Sequence, residues 1–405
     1  MRIPFPETLK QSVPLFDGSM GALLSSMGHK SRCPELLNVE KPEVIRGIHQ
    51  SYRDAGCNVV LTNSFGATGV KLAKSDLAHR TKELVRAAVL NARAASGEDG
   101  YVALDIGSTG EFMQPVGSLS FEEMLETFME VCEAGKVAGA DFALLETQTD
   151  IAECRAACIA AKRAGLEVIA SFTFEKNGRT LTGGSPECCA LTLEAAGAFA
   201  MGVNCSGGPL DMLEPLSKMR LVAPLPVVVQ PNAGLPVSDS EGNAHYPYTP
   251  EMMLPEMERI LEAGASAIGG CCGTTPEHIR LMRTIVEHRA APQSAYDGEV
   301  RICSQRNFVS LEDAKNGLCE ISDPEDLYDL EEDDLAALID VCGMSAEEAE
   351  ETVNEAQFMT KTPLCFKADG EEALRAALTA YHGVAGVDIP NALQKVADEF
   401  GAKRL

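Results

Sequence analysis

Three cysteines carry the clearest chemical signal in this 405-residue chain: Cys205 in GVNCSGGP, and the adjacent Cys271 and Cys272 in AIGGCCGTTPEHI. Neighbouring residues on a strand point to opposite faces, so two adjacent thiols that serve one point need a chain that stops being a strand there. Gly269, Gly270 and Gly273 permit such a bend at little steric cost. A second pair, Cys188 and Cys189 in GGSPECCALTLEAAG, runs into a helical pattern with no glycine after it and reads as structural. Three thiolates suit zinc, which binds sulfur at about 2.3 Å in tetrahedral geometry. Three protein ligands leave one replaceable position, as in a catalytic site; a structural site usually closes with four. The chain has no CxxC or HxxxH spacing. Three buried thiols, or a vicinal disulfide between Cys271 and Cys272, therefore stand as the alternatives.

An open zinc of this kind has two uses. It can acidify water for hydrolysis, or it can hold a substrate thiol as thiolate near neutral pH, where a free thiol of pKa about 8.5 is mostly protonated. Hydrolysis wants a general base beside the metal, and none of the seven histidines stands at a predicted strand end. The residues lean toward sulfur chemistry.

The elements that must position these thiols alternate in period. Strand candidates are PLFDGSMG at 14–21, NVVLTNSFG at 58–66, YVALDIGSTG at 101–110 and FALLETQTD at 142–150. EVIASFTFE at 167–175, FAMGVNCSGG at 199–208, PVVVQPNAG at 226–234 and SAIGGCCGT at 266–274 complete the set. Helical patterns such as KPEVIRGIHQSYRDAG and TPEMMLPEMERILEAGA lie between them, the latter opened by a Thr cap and a first-turn Pro. Strand–helix alternation implies a parallel sheet, and eight units in about 290 residues fit a TIM (β/α)8 barrel of the α/β class. Barrel active sites sit at the C-terminal strand ends. Those ends hold Asp17, Thr62, Asn63, Glu146, Cys205, Asn232 and the Cys271–Cys272 pair, so thiols 66 positions apart can meet at one mouth.

Length and composition bound the rest. A chain of this length, 45% hydrophobic, can bury a large core and hold more than one domain. The start, MRIPFPETLKQSVP, has no apolar signal-peptide core and no run of 18 apolar residues follows, which predicts a cytoplasmic protein with no membrane partner. Fourteen scattered cysteines then read as reduced thiols and metal ligands. The net charge is −26; residues 291–405 hold 25 acids and 9 bases, or −16. Without a basic patch, a nucleic-acid partner is disfavoured. The run SDPEDLYDLEEDDLAALID reads as a solvated acidic helix start. Two regions are expected: the barrel at 1–290, and a small acidic α/β extension at 291–405.

FDGSMG, LTNSFGA, GVNCSGGP, QPNAG and IGGCCGTTPEHI, taken together and in this order, resemble the zinc-dependent homocysteine S-methyltransferases, whose homocysteine barrel also occurs in cobalamin-dependent methionine synthases. The resemblance covers about residues 10–290. It implies zinc on Cys205, Cys271 and Cys272, with Asn232 in the fourth position before substrate arrives. It implies that Asp17 and Glu146 anchor the amino-acid end of homocysteine, and that backbone amides of the Gly18, Ser19 and Gly21 turn receive the carboxylate. Thr62 and Asn63 line the same mouth.

The donor classes of this family are methylcobalamin on a corrinoid protein, betaine-like ammonium compounds and sulfonium compounds such as S-methylmethionine. No Trp and seven Tyr argue against the aromatic cage of the ammonium class, although Tyr246 and Tyr248 keep that option open. TPLCFKADGEEALRAALTAYHGVAGVD resembles one βα unit of the pterin-binding barrel that follows the homocysteine barrel in methionine synthases. Residues 291–405 are then a shortened remnant or a docking module, with an acidic appendage of no catalytic consequence as the alternative. With no Gly-rich cobalamin signature in the chain, methylcobalamin would arrive on another protein. A different thiol acceptor, or a non-catalytic zinc-thiolate module that docks a corrinoid protein, remain as other readings.

Overall fold

The alternation of strand and helix is present in the computed structural model, which describes residues 2–29, 31–114, 116–238 and 244–405. Strands β1 (Val59–Leu61), β2 (Tyr101–Gly107), β3 (Phe142–Gln148), β4 (Val168–Phe172), β5 (Ala200–Cys205) and β6 (Val227–Pro231) lie side by side and parallel. A short hairpin, β7 (Val237–Ser238) and β8 (Ala244–His245), follows β6, and β9 (Ala267–Ile268) then pairs with β6. Leu15 and Phe16 close the ring, Leu15 bridging Ile268 and Phe16 bridging Val59, both in parallel. The amide of Phe16 donates to Ile268 O at 2.8 Å and that of Asp17 to Val59 O at 3.0 Å. The eight predicted strand positions thus form a TIM barrel with helices on its outside.

The first strand is shorter than its sequence suggests. Ser19 leaves the ladder to cap the helix Met20–Ser26, its hydroxyl accepting from the Ala22 amide at 3.1 Å, as a Ser at an N-cap does. Gly18 is required where it stands, because a Cβ there would lie 2.7 Å from Thr274 Oγ1 and 3.0 Å from the Tyr52 ring.

Period-2 alternation sorts the strand residues. Val102, Leu104, Ala143, Leu145, Val168 and Ala170 face the surrounding helices, whereas Phe16, Val59, Ala103, Phe142, Leu144, Ile169, Ala200, Val228 and Ala267 fill the barrel. Both sets are buried, as a fully covered parallel sheet demands. The helix Phe5–Leu9 packs its apolar face into this interior cluster at the strand starts. There Phe5 stacks on Phe142 at 4.6 Å between ring centroids and meets Tyr101 edge-on at 4.9 Å. Aromatic side chains pack the strand starts, and the reactive residues lie at the opposite ends.

Past the barrel, β10 (Arg301–Cys303) and β11 (Phe308–Ser310) pair antiparallel. A second parallel sheet follows: β12 (Leu318–Ile321), β13 (Ala336–Asp340), β14 (Leu364–Lys367), β15 (Gly386–Asp388) and β16 (Lys403–Arg404), in sequence order. Ala337, Ile339, Phe366 and Val387 share a core with the helices Ala346–Met359 and Glu371–Ala380. Ala336, Leu338 and Cys365 on the other face pack against Ile302 and Ala314. The acidic run opens as a short 3-10 helix, Pro324–Tyr328, capped by Asp323. Buried Arg155 of the barrel joins the two regions by donating to Leu378 O at 2.6 Å and Thr379 O at 2.9 Å, the last carbonyls of Glu371–Ala380. No helix among the described residues is long and apolar enough to cross a membrane.

Candidate functional site

The sulfur atoms of Cys205, Cys271 and Cys272 all lie within 4.8 Å of one another at the mouth of the barrel. Cys205 and Cys272 are 3.9 Å apart, and Cys271 and Cys272 4.0 Å, which excludes a vicinal disulfide of about 2 Å. All three are free thiols. The backbone explains how they meet. β9 stops at Ile268, so Cys271 and Cys272 lie in a turn and escape the alternation that would separate them. Cys205 ends β5 with φ +61°, and Ser206 follows at φ +40°, a left-handed conformation uncommon outside glycine. Ser206 is held there by its hydroxyl, which accepts from the Phe174 amide at 2.8 Å.

Three thiols this close cannot all ionise unaided. Hydrogen bonds from Cys205 and Cys271 pull the Cys272 thiol well below its ordinary range, while the contact with Cys205 pushes Cys271 up. Asn204 donates toward Cys271 Sγ at 3.8 Å, and Asn232 Oδ1 accepts from the Cys272 amide at 3.0 Å. Three converging sulfurs with amide groups around them form a donor set that fits a soft divalent metal.

Beside the sulfurs lies a carboxylate pocket. Glu146 projects inward from β3, where the register shift between Leu145 and Gln148 marks one extra residue. Asn204 secures this bulge, accepting from the Thr147 amide at 3.1 Å and donating to Thr147 Oγ1 at 2.7 Å; Thr147 itself is at φ +53°. Burial, and then the nearby charge of Cys272, push the Glu146 carboxyl up to about 7. Asp17 accepts from the Leu61 amide at 2.9 Å through one oxygen; the other is buried with no partner. Burial pushes its carboxyl well above the usual range, against that hydrogen bond. A third carboxylate, Asp105 on β2, is buried beside these two, and burial followed by the charges of Glu146 and Asp17 pushes it up as well.

The remaining expected residues surround this pocket in different ways. Thr62 is buried, its hydroxyl accepting from the Asp105 amide at 2.9 Å. Asn63 donates to Pro34 O at 2.9 Å and fastens the segment at 34–38. Ser19 receives a hydrogen-bond acceptor at its amide, Thr274 Oγ1 at 3.3 Å, and Gly21 lies in the first turn of its helix. Cys188 and Cys189 are fully buried in the helix Pro186–Ala195, away from the sulfur cluster.

Two participants, Asp105 and Asn204, carry no signal of their own in the sequence, and a third, Tyr246, is expected there only as part of an aromatic cage. Asp105 sits four residues after Tyr101, on the inward parity of a strand that was itself recognised. Asn204 lies inside the GVNCSGGP run. Tyr246 covers Gly273 so closely that a Cβ there would lie 2.1 Å from its ring, and it hydrogen-bonds Cys272.

A barrel with three converging cysteines at the ends of its sixth and eighth strands offers a donor set of the kind that binds a thiophilic metal. Residues 14–286 match the family model for homocysteine S-methyltransferase, and the chain belongs to that family. It is 32% identical over 318 residues to methionine synthase of Mycobacterium tuberculosis (strain ATCC 25618 / H37Rv), covering 74% of this chain and 26% of that protein. With methionine synthase of Mycobacterium leprae (strain TN) it shares 33% identity over 300 residues, covering 69% of this chain and 25% of the relative. The chain thus spans about a quarter of the length of these relatives. Among solved structures, the apo form of the homocysteine methyltransferase MmuM from Escherichia coli aligns with TM-score 0.53 and 26% identity, over 68% of this chain and 97% of that one. Its metallated form aligns with TM-score 0.56 and 25% identity, over 68% and 96%.

Proposed function

We propose that the protein transfers a methyl group to the thiol of homocysteine to give methionine. The observation that carries this reading is the sulfur cluster of Cys205, Cys271 and Cys272 standing beside the buried carboxylate of Asp17 and the half-buried carboxylate of Glu146, in a chain of this family. The three cysteines would hold zinc, with the Asn232 side chain next to them. Zinc bound there supplies the Lewis acid that keeps a substrate thiol ionised near neutral pH. The protein's own residues do the positioning. Glu146 receives the ammonium group and Asp17 shapes the turn whose amides, at Gly18, Ser19 and Gly21, receive the carboxylate. Thr62 and Asn63 fix the strand ends around the mouth.

In this reading residues 1–290 are the homocysteine barrel and residues 291–405 a docking module for a separate corrinoid protein that brings methylcobalamin. Net charge supports an electrostatic part in that docking, since the second region carries −16. Tyr246, close to Gly273 and Cys272, supports a second reading in which an ammonium or sulfonium compound donates directly.

Methyl transfer to homocysteine, assayed in parallel with methylcobalamin, methylfolate plus cobalamin, betaine and S-methylmethionine, separates these readings. Transfer from methylcobalamin alone is the expected result. Zinc retention without transfer from any donor and without homocysteine binding would replace the enzyme by a zinc-thiolate module.

A further inference from the structure

We propose that Asp105 is a specificity-determining residue that receives the ammonium group of the amino-acid substrate together with Glu146. This rests on the reading of the pocket as a homocysteine site.

Phe142, Leu144 and Glu146 share the inward parity of β3, and Tyr101, Ala103 and Asp105 that of β2. Asp105 pairs with Leu144 and Gly107 with Glu146, so the two carboxylates are diagonal neighbours on one face. With strands about 4.8 Å apart and a rise of about 3.3 Å per residue, such neighbours stand about 8 Å apart at the backbone, within joint reach of a small group between them. Asp17 approaches from the other side: its carboxylate is fixed to the Leu61 amide, and Leu61 pairs with Ala103.

Asp105 is 6% exposed, its Oδ1 is buried, and its side chain makes no hydrogen bond or ion pair among the described residues. Its backbone is fully engaged, the amide donating to Thr62 Oγ1 at 2.9 Å and the carbonyl accepting from Ser64 Oγ at 2.7 Å. The fold therefore fixes where the carboxylate stands and leaves it nothing to bind. Lys71 is the cation that approaches it, but its ammonium lies over the Phe65 ring, 4.4 Å from the centroid, and forms no ion pair with Asp105. Burying a carboxylate without a partner is costly. A partner that arrives with the substrate accounts for it.

An alkylammonium group presents three N–H donors on a compact charge. Three donors match oxygens contributed by Glu146, Asp105 and Asp17, whereas a neutral or anionic group would meet only acceptors. The thiol cluster near Glu146 then receives the other end of the same molecule.

The test is titration calorimetry of zinc-loaded protein with L-homocysteine and with 4-mercaptobutyrate, the same thiol acid without the amino group. Asp105→Asn should weaken homocysteine binding roughly 10- to 100-fold, as loss of a charge-assisted contact does. It should leave 4-mercaptobutyrate binding and zinc content unchanged, and Asp105→Glu should recover part of the loss. The Asn variant should also melt no lower than the parent, because a buried carboxyl without a partner has been removed. Equal weakening of both thiols, no weakening of either, or a variant too unstable to purify would each overturn the proposal. A parent protein that binds both thiols equally would instead overturn the reading of the pocket itself. Replacing sodium by choline at fixed ionic strength tests the inorganic occupant: a sodium-dependent melting temperature that Asp105→Asn abolishes would assign the carboxylate to a metal cation and overturn the proposal.

Discussion

The chain contains two parallel sheets built the same way, strand after neighbouring strand with connections packed outside, and only one of them gathers reactive side chains. The difference is closure. In the barrel, the Leu15 and Phe16 bridges bring the first and last strands together, so inward residues from all sides share one mouth. Strand ends of the second sheet fan out in the order β12 to β16 and never meet. Its terminal residues are solvated charges such as Asp340, Lys367 and Asp388, and among the described residues they form no metal-ligating group. A cysteine on its inner face, Cys365, is buried against β10 rather than exposed at a mouth.

The largest test of this contrast removes a sulfur from each region. Cys271→Ser should lower zinc retention by more than about 100-fold, beyond the cost of losing an outer partner, and abolish methyl transfer. Cys365→Ser should leave both unchanged. Metal analysis of the two purified variants decides it; equal metal loss would mean that the barrel thiols are not the ligands. Chelation of the parent should likewise make Cys205, Cys271 and Cys272 newly reactive toward a thiol reagent and leave the buried Cys188 and Cys189 protected.

A smaller effect is expected one shell out. Asn204 holds Ser171, the Thr147 bulge and Cys271 at once, through contacts of 2.9, 2.7 and 3.8 Å. Asn204→Ala should reduce metal affinity about 10- to 100-fold. It should also weaken homocysteine binding, because the bulge that aims Glu146 loses its brace. Metal titration together with homocysteine calorimetry checks both. Loss of neither would show that the network is only packing.

How far the sequence announced this site depends on what each residue needed. Cys205, Cys271 and Cys272 were legible because the glycines around them mark the breaks in strand geometry that let them converge. The eight strand positions were legible from alternation, but their lengths were not. Ser19 and the glycines at 269 and 270 end their strands early, and capping is a local choice that hydrophobic period does not report. Asp105 was illegible for a different reason. Its carboxylate matters through its neighbours across the ladder, at Leu144 and Glu146, and register cannot be read from one strand. Asn204 was hidden by the cysteine beside it, since an amide that braces a bulge on another strand leaves no local pattern.

The joint between the regions comes next in size. Arg155 donates to two carbonyls at the end of Glu371–Ala380 and is buried while doing so. Arg155→Met keeps much of the volume and leaves those carbonyls unmet, costing roughly 2 kcal/mol. If the second region folds on its own core, the loss should appear as earlier melting of residues 291–405 with the barrel transition unmoved. Two separable transitions by calorimetry would support that; a common shift of one transition would show that the two sheets unfold together.

The smallest effect is expected where the second sheet most resembles the first, at its strand ends. Lys367 and Asp340 close β14 and β13 with an ion pair of 3.0 Å, and each side chain is about half exposed, at 48% and 50%. In the barrel, by contrast, Asp17 and Asp105 are buried, each with one carboxylate oxygen left without a partner. Here the charges already satisfy each other in water. A pair of this kind contributes about 0.2–1 kcal/mol and is weakened by salt. Lys367→Met should therefore lower the melting temperature by a degree or two at most, by less still in 0.5 M salt, and leave methyl transfer from free methylcobalamin unchanged. Reduced transfer only when a corrinoid protein delivers the methyl group would place Lys367 on the docking face. Reduced transfer from the free donor would mean that the open sheet, too, carries chemistry at its strand ends, and that closure is not what separates the two.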